Sequence, residues 1–184
     1  MSDRTVFRHN DDVQLVLLEE KQDISTLTKF FNDQDVTRGI FTTTPVYKQE
    51  VEKMIKNSRE NKETRPLFGI EVEDGKLIGV TRMIIDMTDN TAEIEILIGE
   101  KKYRGQGYGT SAMMLFLQYG FLDCGLKIIY AKIFSSNNAS KKLCKKCGFE
   151  EAARLKNAHL NRGTRVDEVI MGVREKEWRS AFSD

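Results

Sequence analysis

The chain has 184 residues, 40% of them hydrophobic, and its 29 Lys and Arg residues nearly balance its 28 Asp and Glu residues. A chain of this size can bury one substantial core, which predicts a single domain over residues 1–184 with a folded core over about 11–175. The near-neutral balance excludes a bulk electric field of the kind that attracts nucleic acid or an anionic membrane.

The start of the chain and its cysteines predict the compartment. The first ten residues are polar and lack the apolar stretch of a secretory signal, and no apolar run in the sequence reaches the ~18 residues of a membrane span. Three cysteines are an odd number, which disfavours a secreted disulfide framework. We therefore expect a cytoplasmic protein with reduced thiols.

The first half of the chain predicts a strand, two helices and an antiparallel meander. In chain order, the predicted elements are a strand over 13–20, a helix capped by Asp23, a loop over 32–44, a helix that has Pro45 in its first turn and frays by Asn61, and strands over 67–73, 76–86 and 92–99. The turn pairs Asp74-Gly75 and Asp89-Asn90 join the last three strands into the meander.

The second half predicts a strand–helix–strand unit and a closing hairpin. The predicted elements are a glycine-rich loop, a helix over 109–122 that ends before Gly125, a strand over 127–134, a helix capped by Asn137, Asn138 and Ser140 and stopped by Gly148, and strands over 150–160 and 165–173. This order predicts an α+β fold with a mixed, mostly antiparallel sheet of about seven strands and flanking helices. Its parallel part begins beside the glycine loop.

The glycine loop Tyr103-Arg104-Gly105-Gln106-Gly107-Tyr108-Gly109-Thr110 is the most informative stretch. Its glycines let the backbone curl, so that amide N–H groups of the loop and of the helix start can converge on an anion. Arg104 adds a permanent positive charge. The loop lacks the ending of a Walker A loop, and its alternating glycines differ from the dinucleotide fingerprint. It is predicted to bind phosphate by another route.

Several motifs in order resemble the GCN5-related N-acetyltransferases (GNAT). The motifs are Arg104-x-x-Gly107-x-Gly109 after a strand, Asn137-x-x-Ser140 and Cys147-Gly148-Phe149. Ala92-Glu93-Ile94, Tyr103 and the ending Asp167-Glu168-Val169-Ile170-Met171-Gly172 resemble the branch with ribosomal-protein alanine acetyltransferases and spermidine acetyltransferases. The resemblance covers nearly all of the chain. It implies the GNAT fold, with a V-shaped splay between the fourth and fifth predicted strands.

The resemblance also implies that acetyl-CoA is the cosubstrate. Its pyrophosphate and pantetheine would lie on the glycine loop and the helix start, and its pantetheine arm would contact Asn137, although Asn137 could instead cap the next helix. The splay would expose strand backbone to pantetheine, and the amide of Leu97 or Ile98 would polarise the thioester carbonyl. The implied cofactor-binding residues are Ile96, Leu97, Ile98, Arg104, Gly105, Gln106, Gly107, Tyr108, Gly109, Thr110 and Asn137.

Acetyl transfer to an amine requires a proton acceptor, because the attacking nitrogen must be unprotonated. Glu93 and Glu95 share one face of the 92–99 strand, about 7 Å apart. Glu93 is favoured because it matches the Ala-Glu-Ile motif. In the alternative, both glutamates simply face solvent. A bulge that the resemblance implies in this strand could exchange which of them points inward.

The donor to the leaving thiolate is less clearly marked. Cys144 occupies the slot in which many relatives carry Tyr, and a thiol with a pKa of about 8.5 could donate, although Cys is more often a small buried hydrophobe. Ser140, one helical turn earlier, is an alternative donor or simply part of the helix cap, and water is a third alternative donor. Cys144 and Cys147 lie in one helix without a second Cys or His pair, so no metal site is predicted.

Together these features predict an acetyl-CoA-dependent N-acetyltransferase that works by direct attack in a ternary complex. The acceptor is a polyamine, another small amine or a protein N-terminus, a homodimer is compatible with the sequence, and neither nucleic acid nor membrane is an expected partner. His159 is expected to line the acceptor side. Acidic residues that could attract a cationic acceptor are Asp33, Asp35, Asp167 and Glu168. The alternatives are a non-catalytic acyl-CoA-binding sensor or interaction module and a redox protein with a Cys144–Cys147 disulfide.

Overall fold

The computed structural model describes residues 4–19, 21–41 and 44–182, and within them it has eight strands and six α-helices. The strands are β1 (Val6–His9), β2 (Gln14–Val16), β3 (Leu67–Glu71), β4 (Leu77–Asp86), β5 (Thr91–Ile98), β6 (Ile128–Phe134), β7 (Glu150–Asn161) and β8 (Thr164–Arg174). The helices are α1 (Lys21–Asn32), α2 (Gln34–Thr37), α3 (Lys48–Glu60), α4 (Tyr108–Gln118), α5 (Asn138–Lys146) and α6 (Glu175–Phe182). None of these helices is long and apolar enough to cross a bilayer.

All eight strands form one sheet in the order β1-β2-β3-β4-β5-β6-β8-β7. Every neighbouring pair is antiparallel except β5 and β6, which are parallel. The predicted mixed, mostly antiparallel sheet is confirmed, with one strand more than the seven or so expected. The additional strand is β1, whose short and largely exposed sequence gives little hydrophobic alternation. Its Phe7 ring stacks on Phe68 at 4.5 Å between centroids.

The N-terminal elements differ in detail from the prediction. The strand predicted over 13–20 is limited to β2, and Asp23 lies buried inside the first turn of α1, where it accepts the Glu19 N–H at 3.0 Å. The predicted loop over 32–44 contains the short helix α2, which Asp33 caps. Pro45 precedes α3, which starts at Lys48. Residues 20, 42 and 43 of these predicted segments lie outside the described residues.

The helices cover both faces of the sheet with apolar side chains. On one face, α4 and α6 bury residues such as Met113, Phe116 and Trp178 against the strands, and on the other α1 and α3 bury Leu27, Val51 and Ile55. The predicted 109–122 helix is α4 followed by a wider π turn over Tyr119–Asp123. Helix α6 was not predicted.

The V-shaped splay is confirmed between β5 and β6. These strands pair only from Thr91↔Ile128 to Glu93↔Tyr130, although each continues for several more residues. On its other side β5 pairs with β4 in unbroken register from Gly79↔Ile98 to Asp86↔Thr91, so the bulge expected in β5 is not found in this ladder. The glycine loop follows directly on the diverging end of β5.

Candidate active site

The backbone of the glycine loop requires glycine at two positions. Gly105 has φ +75° and Gly107, the N-cap of α4, has φ +101°, values that side chains with a Cβ rarely adopt. A Cβ at either position would have no atom within 4 Å, so backbone conformation and not crowding selects glycine there. At Gly109 the reason differs, because a Cβ would lie 2.8 Å from Leu143 Cδ1 on α5.

A row of backbone donors is unused in this loop. The N–H groups of Thr110 and Ser111 both donate to Gly107 O, at 2.8 and 3.0 Å. Those of residues 105–109 have no acceptor in the described part of the chain. They lie at the N-terminus of α4, where the helix dipole contributes partial positive charge. Five neighbouring donors at a helix start can bind a polyanion.

Arg104 is used differently from the expectation. Its guanidinium donates from Nε to Ile98 O at 2.9 Å and from NH2 to Gly99 O at 2.6 Å. The side chain therefore ties the loop to the end of β5, and its positive charge stays beside the loop without projecting freely toward a ligand. Gln106 likewise turns back on the chain and donates from Nε2 to Lys102 O.

The β4–β5 ladder decides which β5 amides face the splay. Gly99 N–H donates to Ile78 O at 2.9 Å, so these two residues form a hydrogen-bonded pair. Hydrogen-bonded and non-hydrogen-bonded pairs alternate along an antiparallel ladder, so the next hydrogen-bonded pair is Leu97 with Val80. The Leu97 N–H therefore points toward β4. The N–H groups of Ile96 and Ile98 point the other way, into the gap between β5 and β6. Of the two predicted carbonyl-polarising amides, only that of Ile98 faces this gap.

Asn137 has the capping role that was the alternative to cofactor binding. Its Oδ1 accepts the Ser140 N–H at 3.0 Å at the start of α5, and its Nδ2 donates to Gly39 O at 3.1 Å. One Nδ2 hydrogen is left for a ligand. The Ser140 hydroxyl is half-buried and forms no hydrogen bond with any residue that the structure covers. Since the helix is capped by Asn137, this hydroxyl is not needed as a cap.

Both candidate proton acceptors carry cationic partners that the sequence analysis missed. Glu93 Oε2 lies 2.7 Å from Lys132 Nζ on β6, and the side chain of Glu93 is 17% exposed. This hydrogen bond raises the pKa of Lys132. Glu95 is 46% exposed and accepts two hydrogen bonds of 2.8 Å from Arg82. Glu93 is the more enclosed of the two and keeps one oxygen without a cationic partner.

The thiols of Cys144, in α5, and of Cys147, the C-cap residue of α5, are buried. Cys144 is 2% exposed, and burial, with a smaller contribution from Cys147, raises the pKa of its thiol to about 12. Burial also raises the pKa of Cys147 to about 12. Both thiols are therefore protonated at neutral pH. Among the described residues, no group of three or more His, Cys, Asp or Glu side chains is arranged to hold a metal ion.

A single cleft of about 1040 Å³ brings most of the predicted site together. Predicted residues in its lining are Glu93, Glu95, Ile96, Leu97, Ile98, Arg104, Gly105, Gly107, Gly109, Thr110, Asn137, Ser140 and Cys144. Gln106 and Tyr108 are predicted residues that lie outside the lining. The cleft is lined by the glycine loop and α5 and also by residues of α1, α2 and α3, and α2 lies close to the loop, since Asp35 is 3.2 Å from Lys101 Nζ. We call the part of the cleft beside α1, α2 and α3 the acceptor end; its lining includes Phe31, Asp35, Phe41, Glu50 and Met54.

His159 was expected to line the acceptor side, but it is not among the residues that line the cleft. Its ring packs against Phe41, at 4.6 Å between centroids, and Phe41 lines the cleft. Its Nε2 lies 2.7 Å from Glu168 Oε2, a carboxylate that is nearly buried. His159 thus supports the wall of the acceptor end from behind.

Comparison with known proteins identifies related sequences and folds. A family model described as an acetyltransferase (GNAT) domain matches residues 13–150. Alpha/beta-tubulin-N-acetyltransferase 9 of Mus musculus is 37% identical over 83 residues, which are 44% of this chain and 34% of that protein. The chain spans 34 to 40% of the mouse and human proteins of this name. The uncharacterized N-acetyltransferase p20 of Bacillus licheniformis is 26% identical over 165 residues, 86% of this chain and 91% of that protein.

Solved structures share the fold over most of the chain. Spermidine N-acetyltransferase from Vibrio cholerae, in complex with CoA and spermine, aligns with a TM-score of 0.83 and 22% identity, covering 92% of this chain and 99% of that one. A GNAT-family acetyltransferase from Bacillus anthracis aligns with a TM-score of 0.79 and 19% identity, covering 92% and 98%. At these identities the likeness concerns the fold alone.

Proposed function

Since this chain belongs to the GNAT acetyltransferase family, we propose that it transfers the acetyl group of acetyl-CoA to a primary amine by direct attack in a ternary complex. The observation that carries the proposal is the row of unused N–H donors over residues 105–109, at the start of α4 and beside the cleft. One relative is named for spermidine and another for tubulin, so the acceptor stays open between a polyamine, another small amine and an amine of a protein, such as its N-terminus.

The donor row suits the pyrophosphate of CoA. A diphosphate presents several oxygens and negative charge, and it is bound best by several directed N–H groups at a helix N-terminus. Arg104 holds these donors in place through its bonds to Ile98 O and Gly99 O. We assign Arg104 a positioning role for this reason.

The splay suits the pantetheine arm. An extended chain with amide groups can add to an exposed strand edge through backbone hydrogen bonds. Ile96 offers both its N–H and its C=O in the gap, since β6 has diverged from β5 at this level. The Ile98 N–H is the donor that we assign to the thioester carbonyl, where it would stabilise developing negative charge on oxygen. The Nδ2 hydrogen that Asn137 retains is a further donor to the arm.

Acetyl-CoA supplies the activated acyl group, and this chain supplies the proton acceptor. We assign that role to Glu93, whose oxygen that is not bonded to Lys132 can take a proton from the ammonium of the acceptor, directly or through a water molecule, so that the neutral amine can attack the thioester. Lys132 fixes the orientation of the carboxylate. Glu95 is the weaker candidate, because both of its oxygens accept hydrogen bonds from Arg82.

On the leaving-group side we assign the Ser140 hydroxyl as a hydrogen-bond donor to sulfur. Cys144 is a poor acid for this task, because its thiol has a pKa of about 12. Proton transfer from it to an ordinary thiolate, with a pKa of about 8.5, is unfavourable by about three orders of magnitude. The same property makes Cys144 a poor nucleophile, which supports direct attack over a covalent acetyl-enzyme.

The test is an acetyl-CoA turnover screen against polyamines, small amines and N-terminal peptides, with binding of CoA measured separately. Glu93→Gln is expected to lower kcat by about 100-fold, the lower range for loss of a general base, with unchanged affinity for CoA. Glu177→Gln, a surface glutamate paired with Arg174, is the matched control. Tight CoA binding without transfer to any amine would instead indicate the non-catalytic acyl-CoA sensor. An unchanged rate in Glu93→Gln would remove Glu93 from the mechanism.

A further inference from the structure

Building on the proposed function, we infer that the acceptor end of the cleft selects an amine that carries one positive charge on an apolar body over a polyamine. The acceptor class to which we commit is a peptide N-terminus with an apolar first side chain. The argument starts from the acidic residues of the cleft, since a polycation needs negative charge that is not already neutralised.

Three of the four carboxylates that line the acceptor end or border it are paired with cations of the same chain. Glu93 is paired with Lys132 at 2.7 Å and Glu95 with Arg82 at 2.8 Å. Asp35 lies 3.2 Å from Lys101, with Arg38 further off at 3.8 Å. The hydrogen bond from Lys101 lowers the pKa of Asp35. A polyamine would have to displace these cations to gain full attraction from the carboxylates.

The fourth carboxylate, Glu50, is used by helix α3. Its Oε2 accepts the Tyr47 N–H at 2.7 Å in a capping box. It also lies in the first turn of the helix, where the helix dipole offsets negative charge. Glu50 therefore offers a polycation only part of the attraction of an isolated carboxylate.

The other acidic residues singled out in the sequence are occupied too. Asp33 accepts the Asp35 N–H at the start of α2, Asp167 accepts the Asn157 N–H and lies 3.2 Å from Arg154, and Glu168 bonds His159. None of these three lines the cleft. The expectation that they attract a cationic acceptor has no support in these contacts.

Apart from these carboxylates and the cations paired with them, most of the described side chains that line the acceptor end are apolar. They include Phe31, Val36, Ile40, Phe41, Val46, Val51 and Met54. Such a surface favours burial of an apolar group, whereas each additional ammonium of a polyamine would lose hydration on it without a counter-charge. A peptide N-terminus with an apolar first residue brings one ammonium toward Glu93 and an apolar side chain for this surface.

The first experiment compares kcat/KM for spermidine, spermine and two tetrapeptide amides that differ only in a first residue of Met or Asp. The Met peptide is expected to exceed spermidine and spermine by about tenfold or more, and also to exceed the Asp peptide. Equal or better use of either polyamine overturns the inference while leaving the proposed acetyl transfer intact. No transfer to any of the four also overturns the inference, and the proposed function is refuted as well only if the wider amine screen finds no acceptor.

The second experiment frees one carboxylate. Arg82→Gln removes the partner of Glu95 and is expected to raise the ratio of spermidine to Met-peptide kcat/KM by about 1.5-fold to fivefold, the range of one exposed ion pair. Arg174→Gln, which removes a similar surface partner from Glu177, is the matched control and should leave the ratio unchanged. If Arg82→Gln does not fold, Lys101→Gln tests the same point, since Lys101 is 81% exposed and pairs with Asp35. An unchanged ratio in the folded variant overturns the inference.

Discussion

Substitution of Gly107 by alanine tests the glycine loop with a magnitude that follows from its backbone. At φ +101° a Cβ introduces strain of about 1–2 kcal/mol, although no atom lies within 4 Å to clash with it. Arg104 fixes the start of the loop and Gly107 O accepts the first bonds of α4, but the N–H groups of residues 105–109 make no bonds within the described chain, so the segment between these two anchors can adjust. In the absence of CoA, we expect the loop of the variant to adopt another backbone conformation without this strain. Binding of CoA must then return the loop to the strained conformation, so the strain energy is lost from the binding free energy and the Kd for CoA rises about 5- to 30-fold.

Gly163→Ala is the matched control. Gly163 has φ +81°, and a Cβ there would also meet nothing within 4 Å, but it lies in the turn between β7 and β8, which the ladder holds in place. Strain in that turn cannot relax, so we expect a loss of about 1–2 kcal/mol in the free energy of unfolding and no change in CoA affinity. Gly107→Ala is therefore expected to change the affinity for CoA, whereas Gly163→Ala is expected to change the free energy of unfolding.

Calorimetric titration with CoA and thermal unfolding measure both effects. Pantetheine, which lacks the pyrophosphate, serves as the second ligand, and its affinity is expected to be equal in the wild type and in Gly107→Ala. A Gly107→Ala protein that binds CoA as tightly as the wild type, or loses affinity for pantetheine to the same extent, would refute the assignment of the loop to the pyrophosphate.

Two further predictions concern helix α5. Ser140→Ala is expected to lower kcat about fivefold, because one hydrogen bond to sulfur is lost. Cys144→Ala is expected to leave kcat within about twofold of the wild type and to lower stability. Steady-state kinetics measure both values of kcat, and a larger loss in Cys144→Ala than in Ser140→Ala would contradict the assignment of Ser140. The buried thiols of Cys144 and Cys147 also make the stability of the protein depend on pH. Each has a pKa of about 12 in the folded state and of about 8.5 in the unfolded chain. As pH rises, the unfolded chain therefore loses these protons before the folded protein does. The free energy of unfolding should therefore be fully retained below about pH 8.5 and fall by up to about 1.4 kcal/mol per pH unit for each thiol above it. Denaturant titrations at pH 8 and pH 10 measure the loss, and Cys144→Ala should roughly halve the part due to these two thiols; a loss that is the same in this variant would assign it to other groups.

The sequence predicts the parts of the fold that local chemistry determines. Turn pairs such as Asp74-Gly75 define the meander, and the strand–glycine loop–helix order correctly indicates the parallel pair. The splay follows only from the resemblance to the GNAT family. The helix α2 and the strand β1 were missed because each is short and lacks a hydrophobic period. Their positions depend on contacts with distant segments, such as the Phe7–Phe68 stack.

In the site, too, local motifs are predictable from the sequence, whereas contacts between distant segments are not. The glycine loop, Glu93 and Ser140 could be named from their motifs, and the Arg82–Glu95 pair could have been found from the hairpin register, which places the two residues opposite each other. The Glu93–Lys132 pair could not, because a parallel register is not fixed by any turn. Nor could the bond from Asn137 to Gly39, which joins residues 98 apart in the chain. These long-range partners decide the electrostatics of the cleft.

The most direct measurement is a crystal structure of the protein with CoA bound. We expect pyrophosphate oxygens within hydrogen-bonding distance, about 3 Å, of several backbone nitrogens in residues 105–109, with pantetheine between β5 and β6. Coenzyme bound elsewhere, or a pyrophosphate held only by side chains while these nitrogens face water, would contradict the account.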